Sequence, residues 1–187
     1  MPRVCVLLAQ GLEEIEAITI IDVLRRAEID VVALAVEGTG NGGLEIKGSH
    51  GVTIRADRAL SAGSSEDWDM VILPGGMPGA TNLRDNPAVQ ALIKKQNQSG
   101  RKVAAICAAP IALGAAGVLQ GKKATSYPGF EKELKGATVV SDRVVRDGNV
   151  ITSRGPGTAL EFALELASQL RSKEVAEKLR SGMLVSA

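Results

Sequence analysis

The chain has 187 residues, 45% of them hydrophobic, which is enough for one compact domain with a large core. Lysine and arginine number 22 against 21 aspartates and glutamates, and aromatic residues make up only 2%. This composition offers neither a basic groove nor a platform for stacking bases, so no specific nucleic-acid partner is predicted. No apolar run is long enough to span a bilayer and no signal-peptide pattern is present, so we expect a cytoplasmic protein without a membrane partner.

Side chains that commonly bind metals are scarce. His50 is the single histidine, and the two cysteines, Cys5 and Cys107, lie far apart in the chain and form no Cys-x-x-Cys motif. A structural zinc site therefore lacks ligands, and a disulfide framework is not expected. We predict neither a metal nor a cofactor.

The first part of the chain predicts a β-α-β unit. Residues 3–9 and 30–36 are apolar runs of strand length, which is typical of parallel strands buried on both faces. Between them, residues 13–28 carry apolar side chains at helical spacing, with three glutamates in the first turn, where they suit a helix N-terminus. This order implies a parallel sheet with a right-handed crossover. Residues 37–43 are predicted to be a glycine-rich loop.

The rest of the chain continues the alternation of strands and helices. Residues 44–47 and 52–55 flank Gly48-Ser49-His50-Gly51 and predict a short hairpin at one edge of the main sheet. The other predicted strands cover residues 69–73, 102–106, 122–127, 138–140, 144–146 and 150–152, and the helices cover 87–99, 108–116, 157–170 and 173–179. We therefore predict a single α/β domain over residues 1–187.

Cys107 is the strongest candidate for a reactive group. It directly follows a predicted strand and precedes a helix, and Ala105 and Ala109 supply the small neighbours that a sharp, nucleophile-bearing turn requires. The positive end of the helix is expected to lower the pKa of the thiol. Cys5 lies in the middle of an apolar strand and is predicted to be an inert core residue.

Two further features follow the ends of predicted strands, where ligands gather in a parallel sheet. Consecutive glycines let backbone N–H groups approach a ligand closely, so Gly75 and Gly76, with the amide of Ala108, are predicted to form an oxyanion hole. Glu16 belongs to a run of glutamates that cannot all share one helix face, so at least one of them can enter the cleft. A carboxyl beside a thiolate should have a raised pKa and could donate a hydrogen bond to sulfur.

Several motifs together resemble the ThiJ/PfpI superfamily, in the branch of the parkinsonism-associated protein deglycase and its close bacterial homologues. The matching segments are Gly11-Leu-Glu-Glu-Ile-Glu16, Asp22-Val-Leu-Arg-Arg26, Leu73-Pro-Gly-Gly76, Ala104-Ala-Ile-Cys-Ala-Ala-Pro110 and Thr152-Ser-Arg-Gly-Pro-Gly-Thr158. The resemblance implies a flavodoxin-like three-layer sandwich, a mostly parallel central sheet with helices on both faces, and a homodimer with Ile18, Ile21 and Arg25 as candidate interface residues.

The resemblance also implies roles for individual residues. Glu16 would supply a protonated carboxyl to Cys107, and Gly75, Gly76 and Ala108 would line the pocket through their amides. The superfamily's cysteine oxidises readily to a sulfinic acid. Tyr127 stands where several members have a histidine, and Ala108 stands where the protease-like branch has one, which argues against a peptidase. Tyr127, Arg26, His50 and Arg154 are possible pocket or dimer contacts, with structural ion pairs or a turn role as alternatives for the last three.

Two functions are compatible with these residues. In the first, Cys107 attacks a reactive 2-oxoaldehyde such as methylglyoxal, and Glu16 moves protons until a 2-hydroxy acid such as lactate is released; a glycated protein is a related substrate. In the second, the protein is a non-catalytic redox sensor or chaperone, and oxidation of Cys107 is the signal. Both functions need the same residues, so the sequence leaves the choice open.

Overall fold

The computed structural model describes residues 1–37 and 43–185, so most of the predicted glycine-rich loop at residues 37–43 lies outside the described residues. Within the described ranges, the strands are β1 Arg3–Leu8, β2 Asp30–Ala35, β3 Glu45–Lys47, β4 Thr53–Arg55, β5 Arg58–Ala59, β6 Met70–Leu73, β7 Lys102–Ile106, β8 Lys123–Ala124, β9 Thr138–Val139, β10 Val144–Asp147 and β11 Val150–Ser153. The helices are α1 Glu14–Arg26, α2 Leu60–Gly63, α3 Gly79–Asp85, α4 Pro87–Gln98, α5 Pro110–Ala115, α6 Ala159–Leu170 and α7 Lys173–Gly182.

Seven of the described strands form one sheet in the order β10-β11-β7-β6-β1-β2-β5. Every neighbouring pair is parallel except β10 and β11, which are antiparallel. The three central strands β1, β6 and β7 are almost wholly buried, as their continuous apolar sequences require of strands covered on both faces. The predicted mostly parallel sheet is therefore confirmed.

Two groups of helices flank the sheet and complete a three-layer sandwich. Helix α1 packs against α6, which in turn packs against α7. Helices α3, α4 and α5 contact one another in the second group. The apolar stripes of these helices bury against the sheet, which is the main driving force for this arrangement. The predicted flavodoxin-like architecture is confirmed. None of the helices in the described ranges is long and apolar enough to cross a membrane.

The predicted hairpin exists, but its place in the sheet was wrong. Strands β3 and β4 form a separate antiparallel pair, and β5 is the edge strand of the main sheet. Backbone hydrogen bonds from Gly11 N–H to the carbonyl of Lys47 (2.8 Å) and from Ser49 N–H to the carbonyl of Leu12 (2.8 Å) hold the hairpin over the loop that follows β1. The hairpin thus covers the end of the sheet where the candidate site lies.

Other boundaries also differ from prediction. Helix α5 begins at Pro110, two residues later than expected, because the chain first turns through a tight elbow. The predicted strand at 122–127 is reduced to β8, which pairs with β9 outside the main sheet. The short helices α2 and α3 were not predicted, since neither carries an extended apolar periodicity.

Candidate active site

Cys107 lies on the elbow between β7 and α5. Its φ of 63° is in the left-handed region, which is strained for a residue with a side chain. The surrounding backbone fixes this conformation: the Cys107 N–H donates to the carbonyl of Ser153 (2.9 Å), and the Cys107 carbonyl accepts from the Tyr127 N–H (2.8 Å). The residue is 8% exposed, so it is buried but not fully sealed from solvent.

Glu16 reaches this thiol from the first turn of α1. Its carboxyl is fully buried, and Oε2 accepts a hydrogen bond from the Gly75 N–H at 2.7 Å. Oε1 is also buried and has no hydrogen-bond partner of good geometry among the described residues, although the Cys107 thiol lies close enough to lower the pKa of the carboxyl. Burial acts more strongly in the opposite direction and raises the pKa of Glu16 to about 7.

The pKa of Cys107 departs from the sequence expectation. Burial and then the charge of Glu16 raise the pKa of the thiol to about 12, against the lowering effect of the N–H groups of Gly76 and Ala108. The predicted lowering by the helix is outweighed because α5 begins only at Pro110, while a carboxylate faces the sulfur. The charge of Glu16 raises the pKa of Cys107, whereas the hydrogen bond from the Cys107 thiol lowers the pKa of Glu16, so Glu16 is the first of the two to lose its proton.

The three backbone amides of the predicted oxyanion hole have different hydrogen-bond partners. The Gly75 N–H is bound to Glu16 and is not directed at a ligand, whereas the N–H groups of Gly76 and Ala108 are hydrogen-bonded to the sulfur of Cys107. A Cβ at Gly75 would lie 2.6 Å from Cβ of Cys107 and 2.9 Å from Oε2 of Glu16, so only glycine fits between the two groups. Gly75 therefore orients Glu16, and the other two amides remain close to the sulfur of Cys107.

The three glutamates that open α1 have separate roles. Glu13 is the N-cap, with Oε2 accepting from the Glu16 N–H at 2.8 Å. Glu14 faces the hairpin turn, where Oε1 accepts from the His50 N–H (2.6 Å) and Oε2 pairs with His50 Nδ1 (2.9 Å). All three carboxylates are buried, which the sequence did not predict for a charge run. Burial opposes the ionisation of Glu14, but the hydrogen bonds from His50 and neighbouring amides outweigh it and lower its pKa to about 2.

His50 therefore binds the helix that carries Glu16 and does not itself touch Cys107. Its pKa is raised by the hydrogen bond to Glu14 and by the charge of that carboxylate. Among the described residues, Glu13, Glu14 and His50 are the group whose donor atoms could hold a metal ion, since these atoms all lie within 4.8 Å of one another. The hydrogen bonds just described account for this arrangement without an ion.

The other residues that the sequence proposed as pocket or dimer contacts differ in how closely they are connected to Cys107. Tyr127 is tied to Cys107 through its backbone, and its half-exposed side chain lines an open groove that Arg154 also lines. Arg26 pairs with Asp22 at 2.7 Å on the exposed side of α1, away from the thiol. Sequence reasoning missed Ser153, whose carbonyl holds the elbow; a backbone contact of this kind leaves no signature in the side chains.

The fold and the site define an α/β protein of flavodoxin-like architecture with a cysteine on a strand-to-helix elbow and a buried carboxyl beside it. The chain belongs to the DJ-1/PfpI family, whose model matches residues 2–169. This confirms the family resemblance of the sequence motifs.

Individual relatives support the same assignment. The protein dj-1beta of Drosophila melanogaster is 44% identical over 183 residues, which cover 97% of this chain and 96% of that protein. Its crystal structure matches with a TM-score of 0.94 and covers 100% of this chain and 99% of that one. The structure of oxidized Toxoplasma gondii DJ-1 matches with the same TM-score, 40% identity and full coverage of both chains. The glutathione-independent glyoxalase DJR-1.2 of Caenorhabditis elegans is 36% identical over 168 residues, covering 89% of this chain and 87% of that protein.

Proposed function

We propose that this protein is a glutathione-independent glyoxalase that converts small 2-oxoaldehydes, such as methylglyoxal, to 2-hydroxy acids. The observation that carries the proposal is the buried carboxyl of Glu16 paired with the thiol of Cys107 on a strained elbow. A nucleophile next to a group that titrates near neutral pH has the parts needed for covalent catalysis with proton transfer. The name of the Caenorhabditis elegans relative supports the same activity.

The chemistry can be written with these two side chains and one water molecule. As the sulfur of Cys107 adds to the aldehyde carbon, Glu16 accepts the thiol proton and passes it to the aldehyde oxygen, which gives a hemithioacetal and restores the carboxylate. Glu16 then removes the hydrogen on the former aldehyde carbon and returns it to the neighbouring carbonyl carbon, while the hemithioacetal hydroxyl proton moves to the oxygen of that neighbouring carbon, which leaves a 2-hydroxy thioester. Water hydrolyses the thioester, releasing the 2-hydroxy acid and the free thiol. No external oxidant is consumed, since one carbon is oxidised while its neighbour is reduced.

The remaining groups of the site suit these steps. The N–H groups of Gly76 and Ala108 lie at the sulfur, next to the position where negative charge develops on the substrate oxygen. A pKa of about 7 lets Glu16 act as a base in one step and an acid in the next. The same chemistry would act on the early adducts that 2-oxoaldehydes form with proteins, so we propose a glycated protein as a second substrate class.

Lactate formation from methylglyoxal without glutathione tests this proposal. The wild type should produce lactate, Cys107→Ser should lose at least about 100-fold in kcat/KM, and Cys5→Ser should retain the wild-type rate. The last variant is a matched control because it removes the other buried cysteine. Equal rates in wild type and Cys107→Ser would disprove the role of Cys107 as nucleophile.

A redox sensor is the second candidate function. The amides at the sulfur and the partnerless Oε1 of Glu16 offer hydrogen-bonding groups to oxygen atoms added to Cys107. The oxidized state in which the Toxoplasma gondii relative was solved points the same way. Two molecules of peroxide would oxidise the thiol to a sulfinic acid and be reduced to water. Mild peroxide should therefore add two oxygen atoms to the Cys107 peptide in a mass spectrum; oxidation confined to Cys5 would exclude this function.

We also propose that the protein acts as a homodimer in the cytoplasm. Ile15 and Ile18 on α1 are 58% and 46% exposed, and Val52 on the adjoining hairpin turn is 50% exposed. A cluster of exposed apolar side chains of this kind marks an interaction surface. Light scattering after size exclusion should give twice the monomer mass, and Ile18→Lys should lower it, whereas Leu160→Lys, at a separate exposed position on α6, should not. A wild-type monomer would contradict the proposal.

A further inference from the structure

An open groove of about 320 Å³ lies beside the Cys107 elbow, lined by Tyr127, Pro128, Ser141, Arg143, Arg154 and residues 155–158. Two backbone hydrogen bonds connect the segments that form it to the backbone of Cys107. Tyr127 donates its N–H to the carbonyl of Cys107, and Cys107 donates its N–H to the carbonyl of Ser153, the residue immediately before Arg154. The segments that line the groove therefore flank the Cys107 elbow on both sides.

The two arginines of the groove differ in their charge balance. Arg143 is neutralised by Glu161, whose carboxylate accepts from Nε and Nη2 at 2.8–3.0 Å. Arg154 makes one hydrogen bond, from Nη1 to the carbonyl of Ser141 at 3.2 Å, and pairs with no carboxylate in the described part of the chain. The described residues that line the groove include no acidic side chain. The guanidinium of Arg154 thus leaves a net positive charge here.

Tyr127 supplies a second free donor to the same groove. Its ring packs against Gly155, where a Cβ would come within 3.2 Å of the ring, so the backbone on both sides fixes its position. The hydroxyl has no hydrogen-bond partner among the described residues, and the side chain is 47% exposed. A planar guanidinium and a phenol hydroxyl lining the same groove suit a carboxylate, which the arginine can bind with two parallel hydrogen bonds.

We propose that this groove binds a carboxylate on the substrate, with Arg154 as its main contact, so that the preferred substrates are 2-oxoaldehydes with an acidic far end. The proposal rests on the proposed function for the reaction and adds the substrate class. Arg154 is chosen because Arg143, the other arginine of the groove, is already paired with Glu161. Arg154 acts in recognition and takes no part in proton transfer.

The test compares 4,5-dioxopentanoate, a 2-oxoaldehyde with a carboxylate, with its uncharged methyl ester. The wild type should favour the acid by roughly 10- to 100-fold in kcat/KM, the effect of a hydrogen bond to a charged group. Arg154→Gln should abolish this preference by raising KM for the acid while its kcat and the turnover of the ester stay unchanged, and Arg154→Lys should restore part of it. Equal kcat/KM values for acid and ester in the wild type would overturn the proposal.

A matched control separates a local contact from overall charge. Arg146→Gln removes the same charge from an exposed arginine that contacts Gln169 and Glu165 outside the groove. This variant should keep the wild-type preference for the acid. A loss of preference equal to that of Arg154→Gln would show a general charge effect and would overturn the proposal.

A binding measurement keeps the groove testable if catalysis fails. The acid yields 2-hydroxyglutarate, which contains no reactive carbonyl and should slow the alkylation of Cys107 by iodoacetamide at a lower concentration than lactate does. Arg154→Gln should remove that difference. If neither aldehyde is turned over but this protection is seen, the proposed function is wrong and the groove assignment holds. If the aldehydes are turned over but the enzyme shows neither a preference for the acid nor protection by 2-hydroxyglutarate, the groove assignment is wrong and the proposed function is unaffected.

Discussion

The two cysteines of this protein are both buried beside the same sheet, yet their surroundings differ in nearly every respect that governs reactivity. Cys5 lies inside β1 with ordinary strand geometry, no exposure, and a pKa raised mainly by burial. Cys107 follows β7 in a left-handed conformation, with backbone amides at its sulfur and a titratable carboxyl beside it. Burial therefore does not distinguish them. The difference lies in whether other groups can take up the proton and the developing charge.

The largest expected effect is the ratio of their reaction rates with iodoacetamide. Cys107 keeps an exposed fraction of 8% at the elbow, whereas Cys5 is fully buried and reacts only when the centre of the sheet opens. Such opening costs a large part of the stability of about 5–15 kcal/mol that is typical of a domain. We expect Cys107 to be alkylated at least ~1000 times faster, as measured by mass spectrometry of the two peptides. Comparable rates would remove the distinction between the two cysteines.

The second-largest expected effect comes from removing the carboxyl of Glu16, which lies beside Cys107 and has no counterpart beside Cys5. Glu16→Gln should lower kcat/KM for methylglyoxal by roughly 100- to 10,000-fold, the usual contribution of an acid–base group. In the wild type the activity should rise as Glu16 loses its proton, with an apparent pKa of about 7, because the carboxylate is the form that accepts the thiol proton. The variant should show no inflection there. An exposed control, Glu45→Gln, should leave both the rate and its pH profile unchanged.

Much of this contrast was accessible from the sequence. The continuous apolar run around Cys5 and the small residues around Cys107 are local patterns, and local patterns predict strands and tight turns well. The alternation of strands and helices predicted the parallel sheet, and the sheet placed residues 11–16, Gly75 and Cys107 at one end.

What could not be predicted depends on long-range geometry. The hairpin was misplaced because its contacts are made to residues 11 and 12 and to Glu14, which no local pattern reveals. The predicted direction of the pKa shift of Cys107 was wrong because the shift depends first on how deeply the thiol is buried, then on how close Glu16 comes, and on where α5 begins. The sequence could not reveal that Arg154 lacks a carboxylate partner, because this depends on which arginine each nearby carboxylate contacts in the folded chain.

Gly75 offers a way to disturb the elbow while keeping both reactive groups. In Gly75→Ala the new methyl group would lie within 3 Å of Cys107 Cβ, Ile106 O and Glu16 Oε2, so the thiol and the carboxyl must move apart. Displacements of about 1 Å at a reacting centre cost roughly 100-fold in rate, which is the loss we expect in kcat/KM. The control is Gly182→Ala in α7, where an added Cβ meets nothing within 4 Å. Wild-type activity in Gly75→Ala would show that the close contact between the two groups is unnecessary.

The smallest effect is on stability, and it again separates the two cysteines, because only Cys107 has beside it a carboxyl that titrates near neutrality. The pKa of Glu16 is about 7 in the folded protein and near its ordinary value of 4.5 in the unfolded chain, so folding binds a proton. The stabilisation is complete below pH ~4.5 and is lost as the pH rises through 7, a change of about 3 kcal/mol in the free energy of unfolding. Urea unfolding should therefore show a larger fall in the free energy of unfolding between pH 5 and 8 in the wild type than in Glu16→Gln.

Glu14, whose pKa is lowered and whose contribution has the opposite sign, is present in both proteins and largely cancels from this difference. Identical pH dependence in the two proteins would mean that the Glu16 carboxyl is not held in its neutral form by burial.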